Sequence, residues 1–102
     1  MKTINTPELK EWQKQNKEFV ILDVRSKTEY EDSYIPNSIL VPLDTLEKEF
    51  TNKLPNKEIA IVCVCHSGSR SSLATNFLTG QGYPNVYNLV GGFMIYSMFV
   101  ND

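Results

Sequence analysis

The chain is poor in soft metal ligands: its 102 residues include two cysteines and one histidine. Cys63 and Cys65 stand with one residue between them and cannot make a disulfide framework. With His66 as the only imidazole they do not complete a tetrahedral zinc set. No metal and no cofactor is expected. No apolar run approaches the ~20 residues of a membrane span. The N-terminal Met1-Lys2-Thr3-Ile4-Asn5 lacks the apolar core of a signal peptide, so a cytoplasmic location without a membrane partner is expected. Nor is there a Lys/Arg cluster interleaved with aromatics. At a formal net charge of -2 the chain carries no electrostatic footprint for nucleic acid. Repeats and low-complexity tracts are missing too. The 41% hydrophobic content and the length predict one domain over residues 1–102.

What is present is concentrated near the middle. Ile59-Ala60-Ile61-Val62-Cys63-Val64 is apolar and rich in β-branched residues, the pattern of a buried strand in a parallel sheet. From Ser71 to Leu78 the apolar residues Leu73, Ala74, Phe77 and Leu78 recur with helical spacing and predict one buried face. Between them lies Cys65-His66-Ser67-Gly68-Ser69-Arg70. A strand-to-helix junction leaves backbone N–H groups without partners and its helix dipole favours negative charge. Gly68 permits a positive φ, small Ser67 and Ser69 let amides turn inward, and Arg70 adds a cation. An isolated cysteine followed by a polar turn would be inert. The order of strand, cysteine, small residues, arginine and helix instead predicts a thiolate at Cys65, with a pKa below that of a free thiol. Ser71 is placed either to donate to that thiolate or to cap the helix. Cys63 is expected to pack in the sheet as a small hydrophobe.

The remaining chain alternates strand and helix. Thr6 followed by Pro7 predicts a capped first helix with Leu9 and Trp12 on its apolar edge. Phe19 to Leu22 is a strand, Ser26 to Glu29 a capping box, and Ile39 to Val41 a strand stopped by Pro42. Asp44 to Phe50 is a helix with Asp44 as its cap, Gly82 closes the helix after the loop, and Val86 to Leu89 is a further strand. Gly91-Gly92 turns into a terminal helix. Asp23 and Arg25, at a strand end, are expected to pair and fix loops. Alternation of this kind predicts a three-layer α/β/α fold with a central, mainly parallel sheet of four to five strands. Ligands bind beyond the carboxyl ends of such strands, where Cys65 lies.

These motifs together resemble the single-domain rhodanese-like sulfurtransferases. The cysteine, four residues and arginine of Cys65 to Arg70 match that family's active loop. Asp23-Val24-Arg25 with Glu29-Tyr30, then Tyr34-Ile35-Pro36-Asn37-Ser38, then Gly82 through Gly92, follow in the family's order. The chain departs from it where Tyr34 to Ser38 replaces His-Ile-Pro-Gly-Ala, where Phe93 to Tyr96 replaces a frequent tryptophan, and at His66. The resemblance implies a double displacement. Cys65 takes sulfane sulfur from a small anionic donor such as thiosulfate, becomes a persulfide, and passes the sulfur to cyanide or to a thiol or protein acceptor. Cys65 and Arg70 would then be the catalytic pair, with Arg70 free to brace neighbouring acids instead. His66, Ser67, Gly68, Ser69 and Ser71 would form the persulfide-binding loop, the amides of His66 to Arg70 holding its charge. Alternatives on the same fold are a non-catalytic or persulfide-carrying binding module, a phosphatase, whose loop has five residues before the arginine, and an arsenate reductase, which needs a resolving thiol.

Overall fold

In the computed structural model, residues 1–99 are described. Five parallel strands, β1 (Lys2–Ile4), β2 (Phe19–Asp23), β3 (Ile39–Leu40), β4 (Ala60–Val64) and β5 (Val86–Leu89), form one sheet in the order β1-β5-β4-β2-β3. Five helices connect or follow them: α1 (Thr6–Lys14), α2 (Lys27–Asp32), α3 (Leu43–Lys53), α4 (Ser69–Gly80) and α5 (Gly92–Tyr96), the last continued by a 3-10 turn over Ser97–Phe99. The three-layer expectation holds, and every strand pair is parallel.

Side chains alternate across β4, so one strand feeds two cores. Ile61 and Cys63, with Cys65 beyond the strand, join Leu46 and Leu54 from the α3 side and Ala74 and Leu78 from α4. Val62 and Val64 join Leu9 of α1, Ile4 of β1, Leu89 and Tyr96 of α5 on the opposite face. β4 is central, paired to β2 over Phe19↔Ala60 to Asp23↔Val64 and to β5 over Ile61↔Val86 to Cys63↔Asn88. Its carboxyl end is thereby fixed from both sides.

Four local expectations need correction. Asn5, not Thr6, caps α1: its side chain accepts from Glu8 N while Glu8 returns the bond to Asn5 N. Thr6 is instead buried as the first helical residue. α3 begins at Leu43 with Pro42 in the cap position, and Asp44 sits in its first turn, where its charge suits the helix dipole without capping it. Leu73 is 62% exposed, and α4 buries Ser71, Ala74, Thr75 and Leu78. Its inner face is half polar because it packs behind the Cys65 loop. β1 was not foreseen, being three residues held by pairing to β5.

The capping box of α2 is present, with Ser26 and Glu29 bonding reciprocally. Asn37, which stands where the resembled pattern has glycine, has φ 68, a left-handed conformation that asparagine tolerates better than most residues. Tyr34 stacks on Tyr30 with ring centroids 4.6 Å apart. Among the described residues no helix is long and apolar enough to cross a membrane.

Gly92 carries the tightest backbone approach. It has φ +59, and a Cβ there would run into Cys65 O and lie 2.6 Å from His66 O. Gly92→Ala should therefore lower stability by about 2–3 kcal/mol, through strained φ and backbone collision. Gly80→Ala, where an added Cβ meets nothing within 4 Å, should stay within about 1 kcal/mol of the native protein. Urea midpoints of the two variants, measured side by side, check the difference.

Candidate active site

Cys65 leaves the end of β4 and Gly68 turns the chain, with φ +120, into the first turn of α4. The sulfur sits inside this turn. Cys65 Sγ accepts from Gly68 N at 3.0 Å and from the Ser71 hydroxyl at 3.3 Å. Burial pushes the Cys65 thiol pKa up, but hydrogen bonds from the Ser71 hydroxyl and from the amides of Ser71, Gly68 and Ser67 outweigh it. The net shift is downward. Of the amides expected in the cradle, Gly68 N bonds the sulfur, and those of Ser67 and Ser71 add to the downward shift. Of the two readings left open by its position, Ser71 takes the first: its hydroxyl reaches Sγ, and although it also lies 3.1 Å from Gly68 O it does not cap α4, whose cap position is Gly68 with no side-chain bond.

Two backbone bonds hold the loop in this sense. Phe93 N donates to Cys65 O at 2.8 Å and Met94 N to His66 O at 3.0 Å. A trans peptide points its N–H opposite to its C=O, so anchoring His66 O towards α5 turns Ser67 N–H towards the sulfur.

Arg70 does not reach for the sulfur. Its Nη1 and Nη2 donate to the two carboxylate oxygens of Glu29 at 2.7 and 2.9 Å, tying the loop to α2. The bidentate Arg70 guanidinium, with the Ser26 N–H, holds the Glu29 carboxyl down to about 2. Of the two roles left open for Arg70, bracing an acid is the one its geometry serves. His66, Ser67 and Ser69 are exposed around the loop, whereas Cys65 itself is 0% exposed.

Cys63 belongs to the core, as expected. Burial pushes its thiol up to about 12 against the opposing bond with Thr75. Asp23 and Arg25 pair at 2.8 Å while fully buried, and Arg25 also donates to Ser33 O and lies over the Phe93 ring. That places the pair as a clasp between β2, α2 and α5.

Three contributors escaped the sequence reading. Glu29 was read as a capping residue and as part of the family motif, but not as the partner of Arg70, which lies forty-one residues away. Gly92 was read as a turn. Asn88, whose side chain contacts both Ser71 and Gly68, had one available signal: it is the polar interruption of an otherwise apolar strand pattern in Val86-Tyr87-Asn88-Leu89.

A family model described as Rhodanese-like domain matches residues 5–98. The chain belongs to the rhodanese-like domain family. It is 43% identical over 72 residues to the putative sulfur carrier protein YrkF of Bacillus subtilis, a match covering 71% of this chain. The chain spans 38% of that protein's length. It is 34% identical over 77 residues to the thiosulfate sulfurtransferase GlpE of Coxiella burnetii, covering 76% of this chain and 70% of that one. The crystal structure of a rhodanese-like domain protein from Staphylococcus aureus superposes with a TM-score of 0.87 at 35% identity, over 94% of this chain and 91% of the other.

The Arg70–Glu29 pair gives stability a defined acid dependence. Glu29 has a folded pKa of about 2, below the ~4.3 of an unfolded glutamate. Its contribution is therefore complete above about pH 4.5 and is lost as pH falls towards 2. Both side chains are about one-third exposed, which limits that contribution to about 1 kcal/mol or less. The gap in urea midpoint between the native protein and Glu29→Gln should be fully open at pH 7, narrow as pH falls below about 4, and close only below about pH 2.

Proposed function

We propose that this protein is a sulfurtransferase that carries sulfane sulfur as a Cys65 persulfide. The observation that carries the reading is Cys65 Sγ accepting a hydrogen bond from Gly68 N, with Ser71 Oγ 3.3 Å away, at the carboxyl end of β4, and with its pKa drawn down. Lowering a thiol's pKa populates the nucleophile, and fixed amides stabilise the charge that develops there.

With thiosulfate as donor, the Cys65 thiolate attacks the outer sulfur. A new S–S bond forms, the donor's S–S bond breaks, and sulfite leaves with the electron pair. The persulfide's terminal sulfur carries the negative charge. A thiolate or cyanide acceptor then bonds to that sulfur, and Cys65 leaves as the thiolate it was. No redox partner is consumed. Ser67, Gly68 and Ser71 hold the anion, His66 and Ser69 border the approach, and Arg70 keeps the loop's shape through Glu29. Because Cys65 has no exposed surface, a donor must displace loop atoms to reach it. Donor choice then lies with the exposed His66, Ser67 and Ser69.

The names borne by the relatives, a sulfur carrier and a thiosulfate sulfurtransferase, support this chemistry and divide over its donor. A carrier loaded by a protein persulfide differs from an enzyme loaded by thiosulfate in the first step alone. A cytoplasmic location, with its supply of thiols, fits either.

Incubation with thiosulfate followed by intact mass measurement should show a gain of one sulfur that a thiol reductant removes. The gain should vanish in Cys65→Ser and persist in Cys63→Ser. Thiosulfate:cyanide turnover should fall at least a thousandfold in the first variant and less than about threefold in the second. Equal losses in both would point to a dithiol mechanism, and Cys65-dependent hydrolysis of aryl phosphates would displace the sulfurtransferase reading.

A further inference from the structure

Asn88 is 8% exposed in β5 and stands opposite Cys63 in the sheet register. Its Oδ1 lies 2.5 Å from Ser71 Oγ, and its Nδ2 donates to Gly68 O at 3.3 Å. Ser71 is fully buried, so its single hydroxyl proton has no water to turn to. Three acceptors compete for it: Asn88 Oδ1, Gly68 O at 3.1 Å and Cys65 Sγ at 3.3 Å. One proton serves one of them well. While it points at Asn88, Ser71 offers the sulfur a lone pair, which suits a thiol and opposes a thiolate.

A primary amide has nearly the same shape after a half-turn of its terminal torsion. In the turned position Nδ2 donates to Ser71 Oγ, and the Ser71 hydroxyl is released to donate to Sγ. The half-turn gives up the long bond to Gly68 O and sets Oδ1 against that carbonyl, a cost the hydrogen bond gained by the thiolate has to exceed; Gly68 O keeps Ser72 N at 3.0 Å.

We propose that Asn88 is a positioning residue whose amide turns with the charge on Cys65 and thereby sets the direction of the Ser71 proton. The proposal rests on reading Cys65 as the persulfide-forming nucleophile. With a thiolate, the chain of donors runs from Asn88 Nδ2 through Ser71 to Sγ. Once a persulfide forms, the charge moves to the outer sulfur and the Ser71 proton returns to Asn88 Oδ1. Only the hydroxyl and the amide rotate; no bond to hydrogen is broken.

The test is the pH midpoint of Cys65 alkylation by iodoacetamide, mapped by peptide mass, for Asn88→Asp and Asn88→Leu with and without Ser71→Ala. A carboxylate can only accept, so Asn88→Asp should keep the Ser71 proton from the sulfur and raise the midpoint by at least about one pH unit, a tenfold loss of thiolate. Most of that rise should disappear on the Ser71→Ala background. Asn88→Leu, which has no acceptor, should move the midpoint by less than half as much. A rise undiminished by Ser71→Ala would assign the effect to bare charge. Equal shifts for Asp and Leu would assign it to packing, and no shift for Asp would leave Asn88 without influence; each overturns the proposal. In the native protein, the Asn88 side-chain amide NMR resonances should move with the Cys65 titration and stay still in Cys65→Ser; unmoved resonances in the native protein would equally overturn it. Failure of sulfur uptake from thiosulfate, with these midpoints behaving as stated, would count against the sulfurtransferase reading and leave the Asn88 switch standing.

Discussion

The site depends on which way two peptide groups face. Phe93 and Met94 bond the carbonyls of Cys65 and His66, holding both towards α5, and the bond to His66 O turns the Ser67 amide towards the sulfur. Both bonds exist because Gly92 has no Cβ to hold α5 away from the loop. Without that approach the junction would still be a strand end followed by a helix, but its carbonyls would be free to face the sulfur. A carbonyl beside a thiolate raises the thiol's pKa, whereas an amide lowers it. The sign of the electrostatics is therefore set by a contact outside the loop.

The sheet supplies the rest of that constraint. β4 is paired on both edges, so Cys65 is delivered at a fixed height and in a fixed orientation. The same alternation that sends Cys63 into the core beside Thr75 sends Cys65 to the same side one pleat further on, where Ser71 and Asn88 are waiting. Two thiols two residues apart thus ionise in opposite directions. One is surrounded by apolar side chains and rises to about 12, while the other is surrounded by donors and falls. Burial decides the first case, and in the second the donors aimed at the sulfur outweigh it.

What could be read from sequence follows the range of the interactions. The Ser26–Glu29 capping box, the β4 strand, the positive φ of Gly68 and the start of α5 at Gly91-Gly92 all arise within a few residues, and all are present. β1 has too few residues to show a period and exists through its pairing with β5. Leu73 fits the helical repeat by hydrophobicity, yet Ser71 and Thr75 take the inner face. The space behind the loop and beside Cys63 asks for small hydrogen-bonding side chains. The Glu29–Arg70 bridge and the Asn88 contacts join residues remote in sequence, and although Asn88 interrupts an apolar strand pattern, no local pattern names either partner. Thr6 was displaced as a cap because Asn5 offered both a better acceptor and the reciprocal bond from Glu8.

That the loop amides and Ser71 draw the Cys65 pKa downward is open to direct measurement. Thiolate ultraviolet absorbance can be followed across pH for the native protein, Cys65→Ser and Cys63→Ser. One ionisation should appear below the ~8.5 of a free cysteine, vanish in Cys65→Ser and remain in Cys63→Ser. A native titration with no step below that value, or one that survives in Cys65→Ser, would contradict the amide cradle.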